Sequence, residues 1–93
     1  MLKIQSVATD QLKPNPHAVR THPKDPIDAL AKSIQTFGFV VPIIANPKKE
    51  ILLGTARLMA AGKLGLKAVP VILLDNLSPA LQRGLALADN KIA

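Results

Sequence analysis

The chain has 93 residues and a mass of 9.9 kDa, enough for one domain with a single modest core. It contains no cysteine, which excludes disulfides, thiolate metal sites and cysteine nucleophiles, and only two aromatic residues, Phe37 and Phe39, too few for single-strand binding by base stacking. Twelve basic residues against six acidic give a net charge of +6 and a pI near 10.1, a balance that suits either a polyanionic partner or simple solubility.

In chain order, LKIQSVA (2–8) alternates Leu2, Ile4 and Ser6 against Lys3, Gln5 and Val7, which predicts a strand. TDQLKPNPHAVRTHPKDP follows with four of the eight prolines and both histidines, and reads as a long extended loop. DPIDALAKSIQTFG predicts a helix with Asp25 as N-cap and Pro26 at the first helical position. Ile27, Leu30, Ala31, Ile34 and Phe37 form its core stripe, and Gly38 is its stop. FVVPIIANPKKEILLG predicts a hairpin turning at Asn46–Lys49, with Pro42 either placing the first strand at an edge or delaying its start.

TARLMAAGKLG predicts a second helix ending near Gly65, and AVPVILLDN a strand buried on both faces. SPALQRGLALADNKIA predicts a last helix with Ser78 as N-cap, Pro79 at its first position and a stripe of Leu81, Leu85, Ala88 and Ile92. The whole reads as one α+β domain over 1–93, ending without a stop signal as an N-terminal fragment of a longer protein would. No apolar run has signal-peptide or membrane-spanning character, so the chain reads as cytoplasmic with no membrane partner.

Gly54-Thr55-Ala56-Arg57 stands where a strand meets a helix. A glycine there permits positive φ or close approach to a ligand, and the first-turn N–H groups form an anion site. Arg57 opposes the helix dipole unless a phosphate lies beside it. Thr55 can cap the helix or give its hydroxyl to the same anion; the alternative is an ordinary Thr55 cap with a solvated or paired arginine. The pattern is neither a Walker loop nor a dinucleotide fingerprint, since Leu64 follows Gly62-Lys63 where a Ser or Thr would hold magnesium. Asn15 and Arg20 can present two polar heads from one proline-rigid segment, or be a turn and an exposed cation. Asp89 and Asn90 can meet a metal or phosphate, or be a solvated helix end. His17 and His22 lack the partners of a zinc site, and no zinc is expected.

Together, LKPNPHAVR, DALAKSIQTFGFVVPIIA, EILLGTARLMAAGKLGLKAVPVIL and LALADNKIA resemble, in that order, the N-terminal domain of the ParB/sulfiredoxin-like superfamily. The resemblance implies a mixed sheet of about four strands with three main helices around a nucleotide-phosphate pocket. It implies a nucleoside triphosphate, CTP or ATP, with magnesium as ligand and DNA as a partner; a homodimer is a candidate assembly that the sequence leaves open. By position, Asn15 and Arg20 match the family's Asn-Pro-x-x-x-Arg box, Gly54 and Arg57 its Gly-x-x-Arg motif, and Asp89 and Asn90 its metal- and phosphate-touching pair. Thr55 and Ala56 stand where partition proteins usually carry Glu and Arg, and Ala93 where they carry another arginine; sulfiredoxin's cysteine is missing. The closing stretch is similar to ParB-like domains ahead of DNA methyltransferase domains. A magnesium-dependent nuclease or phosphotransferase, and an interaction module with a degenerate pocket, are the alternatives in other functional classes.

Overall fold

The computed structural model describes residues 3–16, 19 and 24–91, and for residues 86 and 89–91 the backbone alone. Strand β1 (Ile4–Ala8) leads through a 3-10 turn (Thr9–Gln11) and the proline-rich segment to helix α1 (Lys24–Phe37). Strands β2 (Ile43–Ala45) and β3 (Ile51–Leu53), helix α2 (Thr55–Lys63), strand β4 (Ala68–Leu73) and helix α3 (Pro79–Lys91) follow. The four strands make one mixed sheet in the order β1-β4-β2-β3. β1 pairs with β4 antiparallel, β4 with β2 parallel and β2 with β3 antiparallel, so the α+β expectation and its strand and helix counts hold.

The two central strands supply the deepest part of the core. Ile43, Ala45 and Val71 are wholly shielded, and Val69, Ile51, Val7 and Leu12 nearly so. Each buried branched side chain of this kind contributes about 1.5–3 kcal/mol relative to exposure. α2 lies between the sheet and α1. Ala61 and Leu58 face the sheet, while Ala56 and Ala60 meet Ile27 and Ala31 of α1. Alanine at these positions lets the helix approach both layers closely. Outside the core, Lys63 of α2 pairs with Asp28 of α1.

Local signals set most element ends. Gly38, at φ 84°, donates its N–H to the Ile34 carbonyl at 2.8 Å and ends α1. Ser78 caps α3 by accepting the Leu81 N–H at 3.2 Å. The hairpin turn closes through Lys49 N–H to the Asn46 carbonyl at 2.8 Å, with Pro47 in the second turn position and Lys49 in the left-handed region at φ 65°. The proline-rich segment is stitched to the β3 edge: Lys13 donates to the Lys49 carbonyl at 2.8 Å and accepts from Ile51 N–H at 2.9 Å. That contact covers an edge that would otherwise be open to pairing.

Several expectations change. α1 is already helical at Lys24, so Asp25 lies in the first turn rather than at the cap, where its carboxylate still suits the dipole. Phe37 at the end of its stripe is 73% exposed and Leu81 of α3 is 59% exposed, because among the described residues neither is covered by another element. Leu85 and Ala88 of α3 are half-buried, and Ile92 lies outside the described residues. In β1 the buried face belongs to Val7, and Ile4 is 63% exposed. β4 is not buried on both faces: Val69 and Val71 point inward, while Pro70 and Ile72 are half-covered. β2 starts after Pro42, as a late start requires, and it is an inner strand rather than an edge.

Two outcomes follow from this packing. At Gly54 φ is 111°, and a Cβ would lie 3.0 Å from Ile43 Cγ1. Gly54→Ala should therefore destabilise the domain by about 2 kcal/mol or more, read as a shift of the denaturant midpoint. The Asp28 carboxyl is held below its ordinary 3.8, chiefly by the hydrogen bond from Lys63; desolvation opposes this, and the charges of Lys63 and Lys24 add to the lowering. Its contribution to stability is present above the unfolded value and is lost as pH falls through the lowered folded value. NMR titration should find Asp28 below its ordinary value in the native chain and back near it in Lys63→Ala.

Candidate functional site

β3 runs directly into α2 through one residue. Gly54 holds the N-cap position with no side-chain cap, which corrects the reading of Thr55 as the cap; Thr55 is the first helical residue. Its side chain is wholly buried, and its Oγ1 accepts the Asn15 N–H at 3.2 Å. Thr55 thus anchors the proline-rich segment to the helix start.

Arg57, in that first turn, is half-buried, and among the described residues no carboxylate pairs with it. It stands between two cavities. One, of about 230 Å³, is lined by Pro42, Ile44, Leu53, Gly54 and Ala56. The other, of about 100 Å³, is lined by Leu30, Ser33, Ile34, Gly38, Phe39 and Val40. Val41 and Arg57 border both. Apolar walls with one guanidinium and a helix start suit a ligand that carries an anionic group on a largely apolar or flat body.

A third and larger cavity, of about 510 Å³, lies at the opposite, turn end of the hairpin. Lys13, Asn15, Asn46, Glu50, Gln82 and Arg83 line it. Its organising residue is Asn46, 6% exposed. Asn46 Oδ1 accepts the Glu50 N–H at 3.0 Å, and its amide donates to Glu50 Oε1 at 2.9 Å and to Gln82 Oε1 at 3.2 Å. Gln82 in turn donates to the Leu77 carbonyl at 3.1 Å. This chain of bonds joins the hairpin turn to the start of α3.

The sites expected from the sequence are therefore distributed. Gly54 and Arg57 share one cavity; Asn15 lines another and meets the first group through its backbone bond to Thr55. Asp89 and Asn90 belong to α3, with only their backbone described, and Arg20 lies outside the described residues. Among the described residues no three His, Cys, Asp or Glu come together as a metal site, and no helix is long and apolar enough to cross a membrane. Sequence reasoning missed Asn46, Glu50, Gln82, Lys13 and Arg83. For Asn46 a signal existed: Asn before Pro at a turn start tends to bond its own backbone further along.

The sequence matches the family model of the ParB N-terminal domain over residues 1–91. It is 39% identical over 77 residues to the ParB-like nuclease domain-containing protein YnaK of Escherichia coli K12, covering 83% of this chain and 88% of that one. It is 37% identical to the nucleoid occlusion protein of Bacillus cereus strain B4264, over 95% of this chain and 32% of that protein, so it spans about a third of that relative. Among solved structures, the fold is similar to C-terminally truncated chromosome-partitioning protein ParB from Caulobacter crescentus complexed with CTP-gamma-S. That match has a TM-score of 0.77 and 24% identity, covering 98% of this chain and 54% of that one. It is also similar to sulfiredoxin from Arabidopsis thaliana, with a TM-score of 0.74 and 21% identity, covering 89% of this chain and 97% of that one.

Asn46→Ala removes three hydrogen bonds from a shielded position. The expected cost is about 2–3 kcal/mol in chemical denaturation, against about 1 kcal/mol or less for Gln82→Ala, whose side chain is half-exposed.

Proposed function

The chain belongs to the ParB N-terminal domain family, and on that premise we propose that it is a nucleotide- or phosphate-binding module of a DNA-associated bacterial or phage protein. The observation that carries this reading is Arg57: a half-buried guanidinium with no carboxylate partner among the described residues, in the first turn of a helix that starts at Gly54, between two cavities. Holding a cation at the positive end of a helix is unfavourable by a few tenths to about 1 kcal/mol, and a bound phosphate reverses that sign. The relative solved with CTP-gamma-S supports a nucleoside triphosphate as the ligand. In this reading Arg57 and the α2 amides hold phosphate, Asn15 and Arg20 clamp from the proline-rich segment, and Asp89 with Asn90 faces the metal side, where magnesium would neutralise phosphate charge. Thr55 positions the segment that carries Asn15.

Partition-type or nucleoid-associated work is the setting that the nucleoid occlusion relatives support. A place ahead of a DNA-modifying methyltransferase domain rests on the resemblance of GLKAVPVILLDNLSPALQRGLALADNKIA alone. The degenerate interaction module is less well supported, because the space beside Gly54 is open rather than filled by side chains. The metal-dependent nuclease or phosphotransferase gains nothing from the described residues, among which no acidic set converges.

Calorimetric titration with CTP, ATP and GTP in the presence of magnesium tests the assignment. One of them should bind, Arg57→Ala should weaken it at least about tenfold, and Arg57→Lys should recover only part, since an ammonium lacks the forked donors. Absence of binding to all three, or indifference to both substitutions, overturns the phosphate site.

A further inference from the structure

The 510 Å³ cavity at the turn end of the hairpin shares Asn15 with the proposed phosphate site, but its charged residues lie outside that site and are unbalanced. Lys13 from the proline-rich segment and Arg83 from α3 line it, and among the described residues neither side chain has an ion-pair partner. Lys48 and Lys49 lie on the adjoining turn; Lys49 is tied to Lys13 through the backbone and to Gln11 Oε1 through its ammonium at 2.9 Å. The carboxylate in the groove is Glu50, already an acceptor for Asn46, and Asp75 follows β4 at the same end of the sheet. Four cations thus meet two carboxylates here.

We propose that this groove, with Lys13, Lys48 and Arg83 as its principal contacts, is the face on which the domain rests against the phosphodiester backbone of duplex DNA. Three features favour a polyanion over a compact phosphate. The cations come from three separate elements. The walls formed by Pro14, Pro16 and Pro79 have no N–H groups with which to cradle a single phosphate. The groove is also open, with long flexible side chains at its rim that suit sequence-independent backbone contact. The positive end of α3, which begins at Pro79 on the rim, adds to the attraction. The inference rests on the DNA-associated part of the proposed function and is independent of Arg57.

Fluorescence anisotropy of a labelled, arbitrary-sequence duplex with the 93-residue chain, without nucleotide and across about 50 to about 200 mM salt, tests it. The triple variant Lys13→Glu/Lys48→Glu/Arg83→Glu should bind at least about tenfold more weakly, and the salt slope should fall by about 3, about one per lost phosphate contact. A matched variant, Lys3→Glu/Lys32→Glu/Lys67→Glu, changes net charge equally and should keep the native slope. Should the triple variant not fold by thermal melting, the single variants Lys48→Glu and Arg83→Glu replace it, each lowering the slope by about 1. Equal losses in both triple variants, or an unchanged slope in the groove variants, overturn the groove while leaving DNA association standing. No duplex binding by the native chain, or binding of polyglutamate in place of duplex, overturns both, whereas the calorimetric result at Arg57 stands or falls separately.

Discussion

Gly54 lies with its backbone against Ile43, the residue at the start of an inner strand, at a distance that a Cβ could not tolerate. That approach lets β3 turn into α2 within a single residue and sets the helix directly on the sheet. Everything else is placed by it. α2 carries Ala61 toward the sheet and Ala56 and Ala60 toward α1, so both hydrophobic clusters share this one helix. Because those faces are spent on packing, Arg57 is left at the margin, beside the cavities and not in the core. A cation there and a glycine before it are two consequences of the same geometry.

A second constraint works at the other end of the hairpin. The turn needs its polar backbone satisfied, and Asn46 does this while reaching α3 through Gln82. Among the described residues the last helix contributes no fully buried apolar side chain, so a shielded amide supplies part of what holds it. The hairpin therefore separates two environments. At its Gly54 end the walls are apolar and carry one guanidinium; at its turn end they are polar and rimmed by several cations. The Asn15–Thr55 bond links the two, since Asn15 lines one cavity while its N–H reaches the helix that borders the other.

Such an arrangement suits a module with two anionic ligands of different kinds: a small one held by a helix start, and a long one met along a rim. The structural likeness to both a partition protein and sulfiredoxin, at 24% and 21% identity, shows that widely differing sequences build this sheet and its helices. Here that turn is Gly-Thr-Ala-Arg, with its second residue wholly buried and its fourth open to the cavities.

The order and type of the elements were legible in the residues, because what sets them is local. Ser78 before Pro79, Gly38 after the α1 stripe, Asn46-Pro47 between two apolar runs and Gly54 between strand and helix each act within a few residues. Periodicity also identified Ile27 and Ala31 as core. It failed where burial depends on what lies opposite: Phe37, Leu81 and Ile4 fit their stripes yet are exposed, and β4 is fully buried on one face and half-covered on the other. The site divides the same way. That Gly54 and Arg57 belong together follows from their being one turn apart. That Thr55 bonds a residue 40 positions away, that Asn46 bonds one 36 away, and that Asn15 and Arg57 border different cavities were decided by the tertiary structure, since no local pattern encodes which distant segments the sheet brings side by side.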